Sequence, residues 1–161
     1  MMGARPVGSG QLQWAAAINS DDDGGPQRSI TVSIPNLLTS PDKEVVIPVS
    51  VQGMADKGII SYEFDLRYNP SVIQPQADPV DLAGTVSRGL SVVTNPEQPG
   101  LLRVVIYGAL PIDEDGVLLN LRFIAVGPAG SGSSLAFEQM MFNEGGPRVV
   151  ATGGQVDLLG R

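Results

Sequence analysis

The feature that most constrains the fold is an alternation of apolar and polar side chains along residues 60–68 of the segment 58–70, GIISYEFDLRYNP. A period of two residues is that of a β-strand with one face in a core and one face in water. The segment ends at Asn69-Pro70, where the proline cannot donate a hydrogen bond to a ladder. We therefore predict a central strand whose inner face carries Ile60, Tyr62, Phe64, Leu66 and Tyr68.

The rest of the chain consists of shorter apolar runs separated by turns. The chain has 161 residues, enough for one domain with a sizeable core, and its 20 glycines and 13 prolines punctuate the apolar runs. This texture is typical of a β-sandwich or barrel, and no segment shows a sustained helical stripe. We predict an all-β, nine-stranded β-sandwich over residues 29–161, preceded by a flexible segment or linker over residues 1–28.

The pattern is least regular between residues 71 and 110. Residues 71–75 (SVIQP) indicate a short apolar tuck, and we expect two short strands within residues 81–87 and 90–93. Residues 101–110 are apolar on both faces, so this strand is either covered on both sides or adds apolar area to an exposed patch. One face would carry Leu102, Val104 and Ile106, and the other Leu101, Val105 and Tyr107.

Charge and composition exclude several classes of function. The net charge is −7 without a basic stripe, which disfavours binding to nucleic acid or to an anionic membrane surface. No apolar run is long enough to cross a bilayer. The chain contains neither cysteine nor histidine, so it lacks disulfides, thiolate metal ligands and the usual general base. We expect no cofactor.

Acidic clusters suggest neither a metal site nor an active site. Residues 21–23 (DDD) are consecutive and lack the spacing of a calcium loop, while residues 113–115 (DED) lie in a turn, where carboxylates commonly cap backbone groups. Glu63 and Asp65 share one face of the central strand, but glycoside hydrolysis needs two acids facing each other across a cleft. We predict that the protein is not an enzyme.

Several motifs, taken in order, resemble those of cohesin modules from cellulosome scaffolding proteins. Residues 58–70 resemble the long strand of that module, which ends in an aromatic-Asp/Asn-Pro turn, and residues 71–75 resemble the apolar tuck that follows. Residues 115–118 (DGVL) resemble the opening of a later strand, and residues 153–156 (GGQV) resemble the glycine-rich turn and closing strand. The resemblance extends over most of the chain.

The resemblance implies a jelly-roll sandwich that is extracellular or at the cell surface, is non-catalytic, and binds a dockerin module through one sheet face. In the family, a polar pair on the outward face of the long strand makes hydrogen bonds to the dockerin helix. That pair corresponds to Ser61 and Glu63 in this chain. A nearby strand adds an apolar and an acidic contact, which fall near Ile106 and Ala109, so the acidic group is absent here.

The alternation of the central strand leads to the same surface. If Tyr62 and Phe64 face the core, their polar neighbours must face outward. A flat sheet face with polar groups and adjacent aliphatic area from Leu102, Val104 and Ile106 would suit protein docking, whereas the alternative is an ordinary solvated strand face. The predicted partner-binding residues are Ser61, Glu63, Asp65, Arg67, Ile106 and Ala109.

Two other functions remain open from the sequence. A carbohydrate-binding module on a similar sandwich would need exposed, coplanar aromatic rings, and the chain has one Trp, three Tyr and four Phe. Tyr62 and Tyr68 are expected to face inward, and Trp14 lies in the N-terminal segment. The other alternative is a structural spacer without a ligand, and contact with polysaccharide could also come through a parent protein.

Overall fold

The computed structural model describes residues 29–96 and 98–160. The predictions for residues 1–28, including the acidic run at 21–23 and Trp14, lie outside the described residues. The described part contains one short 3-10 turn at Asn143–Gly145 and eleven strands. They are β1 (Ile30–Ser33), β2 (Asn36–Thr39), β3 (Glu44–Gln52), β4 (Ile59–Arg67), β5 (Ile73–Asp81), β6 (Ser91–Asn95), β7 (Leu101–Ile112), β8 (Gly116–Ala125), β9 (Gly132–Phe142), β10 (Val149–Thr152) and β11 (Gly154–Leu158).

The strands form two sheets, which confirms the predicted all-β sandwich, although the described residues form eleven strands rather than nine. One sheet has six strands in the order β2-β11-β9-β4-β7-β6, and the other has five in the order β10-β1-β3-β8-β5. Strand β4 lies inside the six-stranded sheet, antiparallel to both β9 and β7. No helix in the described ranges is long and apolar enough to span a membrane.

Prolines account for two strands that the sequence pattern missed or shortened. Strand β2 lies between Pro35 and Pro41 and pairs in parallel with β11. Strand β5 replaces the expected tuck, and it carries Pro75 and Pro79 because it is an edge strand, where a missing N–H can face away from the ladder.

The strand expected within residues 81–87 is wrong. Thr85 N donates to the carbonyl of Leu82 at 3.1 Å, and Leu90 N donates to the carbonyl of Ser87 at 3.1 Å. These short-range bonds turn the chain back on itself before β6 begins.

The inner faces of the two sheets form one apolar core. Tyr62, Phe64 and Leu66 of β4 are almost completely buried, and the Tyr62 ring lies 5.6 Å from that of Phe142 on β9. Burying each such side chain contributes about 1.5–3 kcal/mol. The remaining core includes Val45, Ile47, Val49, Leu102, Val104, Ile106, Leu119, Leu121 and Phe123.

The start of β4 departs from the predicted alternation, because Ile59 is buried and Ile60 is exposed. Ile59 lies opposite Ile112 and Ser61 lies opposite Tyr107, so residues 108–111 of β7 face the single residue Ile60. Extra residues on one strand interrupt the ladder and change which side chains face the core. The prediction that Ile60 faces inward is therefore wrong, whereas it holds for Tyr62, Phe64, Leu66 and Tyr68.

Strand β7 resolves the alternative left open for residues 101–110. Leu102, Val104 and Ile106 are fully buried against the other sheet. Leu101, Val105 and Tyr107 lie on the opposite side, where Tyr107 is exposed. The expectation that Leu102, Val104 and Ile106 supply aliphatic area to a docking surface is therefore wrong.

The acidic turn at residues 113–115 caps the loop between β3 and β4. Asp115 Oδ1 accepts a hydrogen bond from Met54 N at 3.0 Å, and Asp113 Oδ1 accepts one from Asp56 N at 2.8 Å. Asp56 has a φ of 62°, a left-handed conformation that Asp tolerates better than most residues. These carboxylates thus stabilise a strained turn.

One buried polar pair ties β4 to the loop that precedes β6. The hydroxyl of Tyr62 lies 2.7 Å from Ser87 Oγ, and both side chains are buried. Burial raises the pKa of Tyr62, while the hydrogen bond to Ser87 acts in the opposite direction. The phenol therefore stays protonated and can donate.

We predict that Tyr62→Phe lowers the free energy of unfolding by about 1–2 kcal/mol, because it leaves the buried Ser87 hydroxyl without its partner. Adding Ser87→Ala should then cost little more. Tyr107→Phe removes a hydroxyl from an exposed ring and should stay within about 0.5 kcal/mol of the wild type. Urea unfolding measures all three variants, and equal losses for Tyr62→Phe and Tyr107→Phe would contradict the prediction.

Candidate partner-binding face

The side of the six-stranded sheet that points away from the core carries the predicted polar residues of β4. We call this side, over strands β9, β4, β7 and β6, the outer face. Ser61, Glu63, Asp65 and Arg67 all lie on it, because their neighbours Tyr62, Phe64 and Leu66 fill the core. Neighbours along a strand point to opposite sides, so the burial of one set fixes the exposure of the other.

The register of the strands places these residues in rows across the sheet. Glu63 lies opposite Val105 of β7 and Met141 of β9, and Val105 lies opposite Val93 of β6. The next row, toward the end of β4, is polar and contains Gln139, Asp65, Arg103 and Asn95. The outer face is therefore divided between an apolar half and an ionic half.

The ionic half is centred on a two-pronged ion pair. Arg103 Nε donates to Asp65 Oδ1 at 2.8 Å, and Arg103 Nη2 donates to Asp65 Oδ2 at 3.0 Å. The Asp65 side chain is only 12% exposed, whereas that of Arg103 is 53% exposed. Hydrogen bonding from Arg103 holds the pKa of Asp65 below its usual value. Asp65 is thus occupied within its own sheet.

A second ion pair lies beside the first. Arg67 Nε donates to Glu138 Oε2, and this hydrogen bond lowers the pKa of Glu138 and raises that of Arg67. Both side chains are about half exposed, so solvent screens the pair and it contributes little to stability. Its main consequence is that Arg67 is also engaged within the sheet.

The apolar half surrounds Ser61 and Glu63. Val93 is 52% exposed and Tyr107 is 49% exposed, while Val105 and Met141 are partly exposed between them. Glu63 has neither a hydrogen bond nor an ion pair to any residue that the structure describes, although Arg103 lies close enough to feel its charge. An unengaged carboxylate within an apolar row is well suited to meet a donor on another molecule.

A turn after β9 holds the beginning of β4 in place. Asn143 Oδ1 accepts hydrogen bonds from Ile60 N at 2.9 Å and Ser61 N at 3.3 Å, and its Nδ2 donates to Gly58 O at 2.8 Å. Asn143 therefore closes the irregular start of β4 and orients Ser61 toward the outer face. No local pattern in the sequence indicates this role of Asn143, because it lies 82 positions from Ser61.

The six predicted binding residues have different environments in the structure. Ser61 and Glu63 lie within the apolar half, whereas Asp65 and Arg67 are on the outer face but are engaged in ion pairs. The placement of Ile106 on the binding surface is wrong, because this residue is in the core. Ala109 is exposed, but it belongs to the extra residues 108–111, which lie between the paired positions Tyr107 and Ile112 of β7.

The residues of β7 that lie on the outer face differ by one sequence position from the predicted residue, Ile106. Val105 and Tyr107 take the place assigned to Ile106, and the alternation within residues 101–110 contained the signal for this. A shift of one residue moves a side chain to the opposite face of a sheet. The pairing of Arg103 with Asp65, by contrast, had no local sequence signal.

A groove of about 590 Å³, lined in part by residues 108–111 of β7, lies next to the outer face. Its walls include Leu90, Tyr107, Leu110 and Pro111, and Arg88 forms a 3.7 Å ion pair with Glu114 beside it. Tyr107 is the exposed aromatic residue of the described part of the chain. A single ring does not form the coplanar aromatic platform expected of a carbohydrate-binding module.

Together, the fold and this face define a β-sandwich module of the protein-interaction class. Residues 30–155 match the Cohesin domain family, so the chain belongs to the cohesin family. Cohesin domains are non-catalytic interaction modules, in agreement with the prediction that this protein is not an enzyme. A search of curated proteins gives no match.

Solved structures similar to this chain are cohesins. The sixth cohesin of scaffoldin B from Acetivibrio cellulolyticus, crystallised with a Cel5 dockerin mutant, is 25% identical with a TM-score of 0.70, covering 81% of this chain and 99% of that one. A cohesin in complex with a dockerin from Clostridium thermocellum is 22% identical with a TM-score of 0.63, covering 82% and 100%.

A non-cellulosomal cohesin from the archaeon Archaeoglobus fulgidus is also similar, at 19% identity and a TM-score of 0.66, covering 82% of this chain and 92% of that one. These likenesses confirm the jelly-roll sandwich predicted from the sequence.

We predict that Asp65→Asn lowers the free energy of unfolding by about 1–2 kcal/mol at pH 7, because it breaks a charged hydrogen-bond pair in which the Asp65 side chain is largely covered while Arg103 is half exposed. The folded-state pKa of Asp65 is depressed, so the pair stabilises the fold fully above the ordinary carboxyl pKa of 3.8 and is lost as pH falls through the folded value. The difference from the wild type should therefore shrink in acid. Urea unfolding across that pH range measures it.

The control for this prediction is Glu63→Gln, on the same face and strand but without an ion pair. It should change stability little, and its difference from the wild type should depend less on pH. A pH-independent loss for Asp65→Asn would contradict the role given to Arg103.

Proposed function

We propose that this cohesin domain binds a dockerin-like protein module through the outer face of its six-stranded sheet. The observation that carries the proposal is the apolar half, where Val93, Val105 and Tyr107 surround Ser61 and the unengaged carboxylate of Glu63. Apolar side chains ringed by polar groups are typical of a protein-docking surface. The similar cohesins from Acetivibrio cellulolyticus and Clostridium thermocellum, whose structures contain dockerins, support the choice of partner.

The chemistry of the face restricts what the partner must offer. Covering Glu63 without a counterpart would strand a charge between Val105 and Met141, which is costly. The partner therefore has to supply a cation or N–H groups at this point, together with apolar side chains for Val93 and Tyr107. The ionic half needs no such donors, because its carboxylates are already paired.

We further propose that the domain functions in an assembly outside the cell or at the cell surface. The support is family membership and the similarity to scaffoldin cohesins. The similar cohesin from Archaeoglobus fulgidus is non-cellulosomal. The proposal therefore does not include a role in cellulose degradation. Any contact with polysaccharide would come through the parent protein.

Calorimetric titration with dockerin modules encoded in the same genome tests the proposal. Tyr107→Ala and Glu63→Ala should each weaken binding about tenfold or more, as loss of central contact residues does at other interfaces. Ser61→Ala should have a smaller effect, because it removes one short side chain.

The control is Val46→Ala on the opposite sheet. Val46 is a matched position because it is 49% exposed, as is Tyr107. This variant should bind as the wild type does. The proposed face would be wrong if Val46→Ala weakened binding while Tyr107→Ala and Glu63→Ala did not. The proposed partner would be wrong if the wild type bound none of the dockerin modules.

A further inference from the structure

Strand β6 ends the six-stranded sheet, and no strand in the described ranges pairs with its other edge. Its sequence, SVVTN, combines β-branched residues with small polar ones. Val93 is 52% exposed on the outer face, and Val92 is also exposed although it points toward the core side. An open edge with apolar side chains on both sides is a template for pairing with another strand.

The other edge strands of the described sandwich are protected against such pairing. Strand β5 contains Pro75 and Pro79, and it also carries Asp78 and Asp81. Strand β2 lies between two prolines, and β10 is only four residues long and follows Arg148. Prolines, charges and shortness are the usual means by which native edges avoid association. Strand β6 is also short, with five residues, and Pro96 follows it, but the strand itself contains neither a proline nor a charged side chain.

Charge also distinguishes β6 from the rest of the surface. Residues 89–96, GLSVVTNP, contain no charged side chain, although the chain as a whole has a net charge of −7. Two copies of an acidic protein repel each other over most of their surfaces. Along β6, no like charges would be brought face to face, so this edge suits a second copy of the same chain.

We propose that two copies of this protein associate by antiparallel pairing of their β6 strands across a two-fold axis at Val93. In this register Val93 faces Val93 of the second copy, and Val92 faces its Thr94. A two-fold arrangement is self-complementary, so each contact occurs twice. Pro96 of the second copy would lie beside Leu90, at the mouth of the groove next to the outer face.

The pairing has a geometric consequence for binding. Two adjacent antiparallel strands are related by an axis perpendicular to the sheet, so both copies present the outer face on the same side. The sheets would join into one surface with two docking faces. The association itself does not depend on the identity of the partner or on dockerin binding.

Cross-linking of single-cysteine variants of the full chain tests the proposal, because the protein has no cysteine of its own. Directly opposed residues of antiparallel strands have Cα atoms about 4.5–5.5 Å apart, within the range that a disulfide bridges. Under mild oxidation, Val93→Cys should form a covalent dimer several-fold faster than Val150→Cys. Val150 is the matched control, since it is 51% exposed on the protected edge strand β10.

Sedimentation equilibrium provides the second measurement. The weight-average mass of the wild type should rise from 16.8 kDa toward twice that value as concentration increases. Val93→Lys should remain monomeric, because a lysine at an edge opposes pairing. Val150→Lys should associate as the wild type does, and circular dichroism confirms that both variants are folded.

The proposal is overturned if Val93→Cys cross-links no faster than Val150→Cys. It is equally overturned if the wild type stays at the monomer mass throughout, or if Val93→Lys and Val150→Lys associate alike.

Discussion

The alternation of side chains along β4 is the constraint on which both the fold and the candidate site depend. Tyr62, Phe64 and Leu66 enter the core between the sheets, and this burial fixes the register of β4 against β9 and β7. Sliding β4 by one residue would place these apolar side chains in water and the carboxylates of Glu63 and Asp65 in the core. The stability of the sandwich therefore also secures the orientation of its outer face.

The outer face presents its charges unequally to a partner. Asp65 and Arg67 are bound to Arg103 and Glu138 within the sheet, so they shape the surface but offer few free groups. Glu63 has no such pairing with any residue in the described part of the chain, and it lies among Val93, Val105 and Tyr107. A partner would therefore obtain most of its binding energy from the apolar half and its orientation from Glu63. The ion pairs would disfavour partners that place unpaired apolar groups over them.

The features that depend on local periodicity are predictable from the sequence, whereas those that depend on distant residues are not. The period of two predicts the strand and the outward placement of Ser61 and Glu63, and the short apolar runs between glycines and prolines predict the sandwich. The predicted inward position of Ile60 is wrong because the extra residues that displace it belong to β7, and the predicted surface position of Ile106 is wrong by one residue. The Asp65–Arg103 pair joins residues 38 positions apart, and no local pattern indicates it. Strand β5 was shortened because its prolines read as a break, whereas an edge strand tolerates them.

The central claim is that the outer face of the six-stranded sheet is the surface that binds another protein. Nuclear magnetic resonance of the isotope-labelled domain, titrated with an unlabelled dockerin module that it binds, tests this claim directly. The predicted result is that amide shifts change around Glu63, Val105 and Tyr107, while those around Val46 and Ile124 on the opposite sheet stay constant. The claim would be contradicted if the changes centred on Val46 and Ile124 and the outer face remained unperturbed.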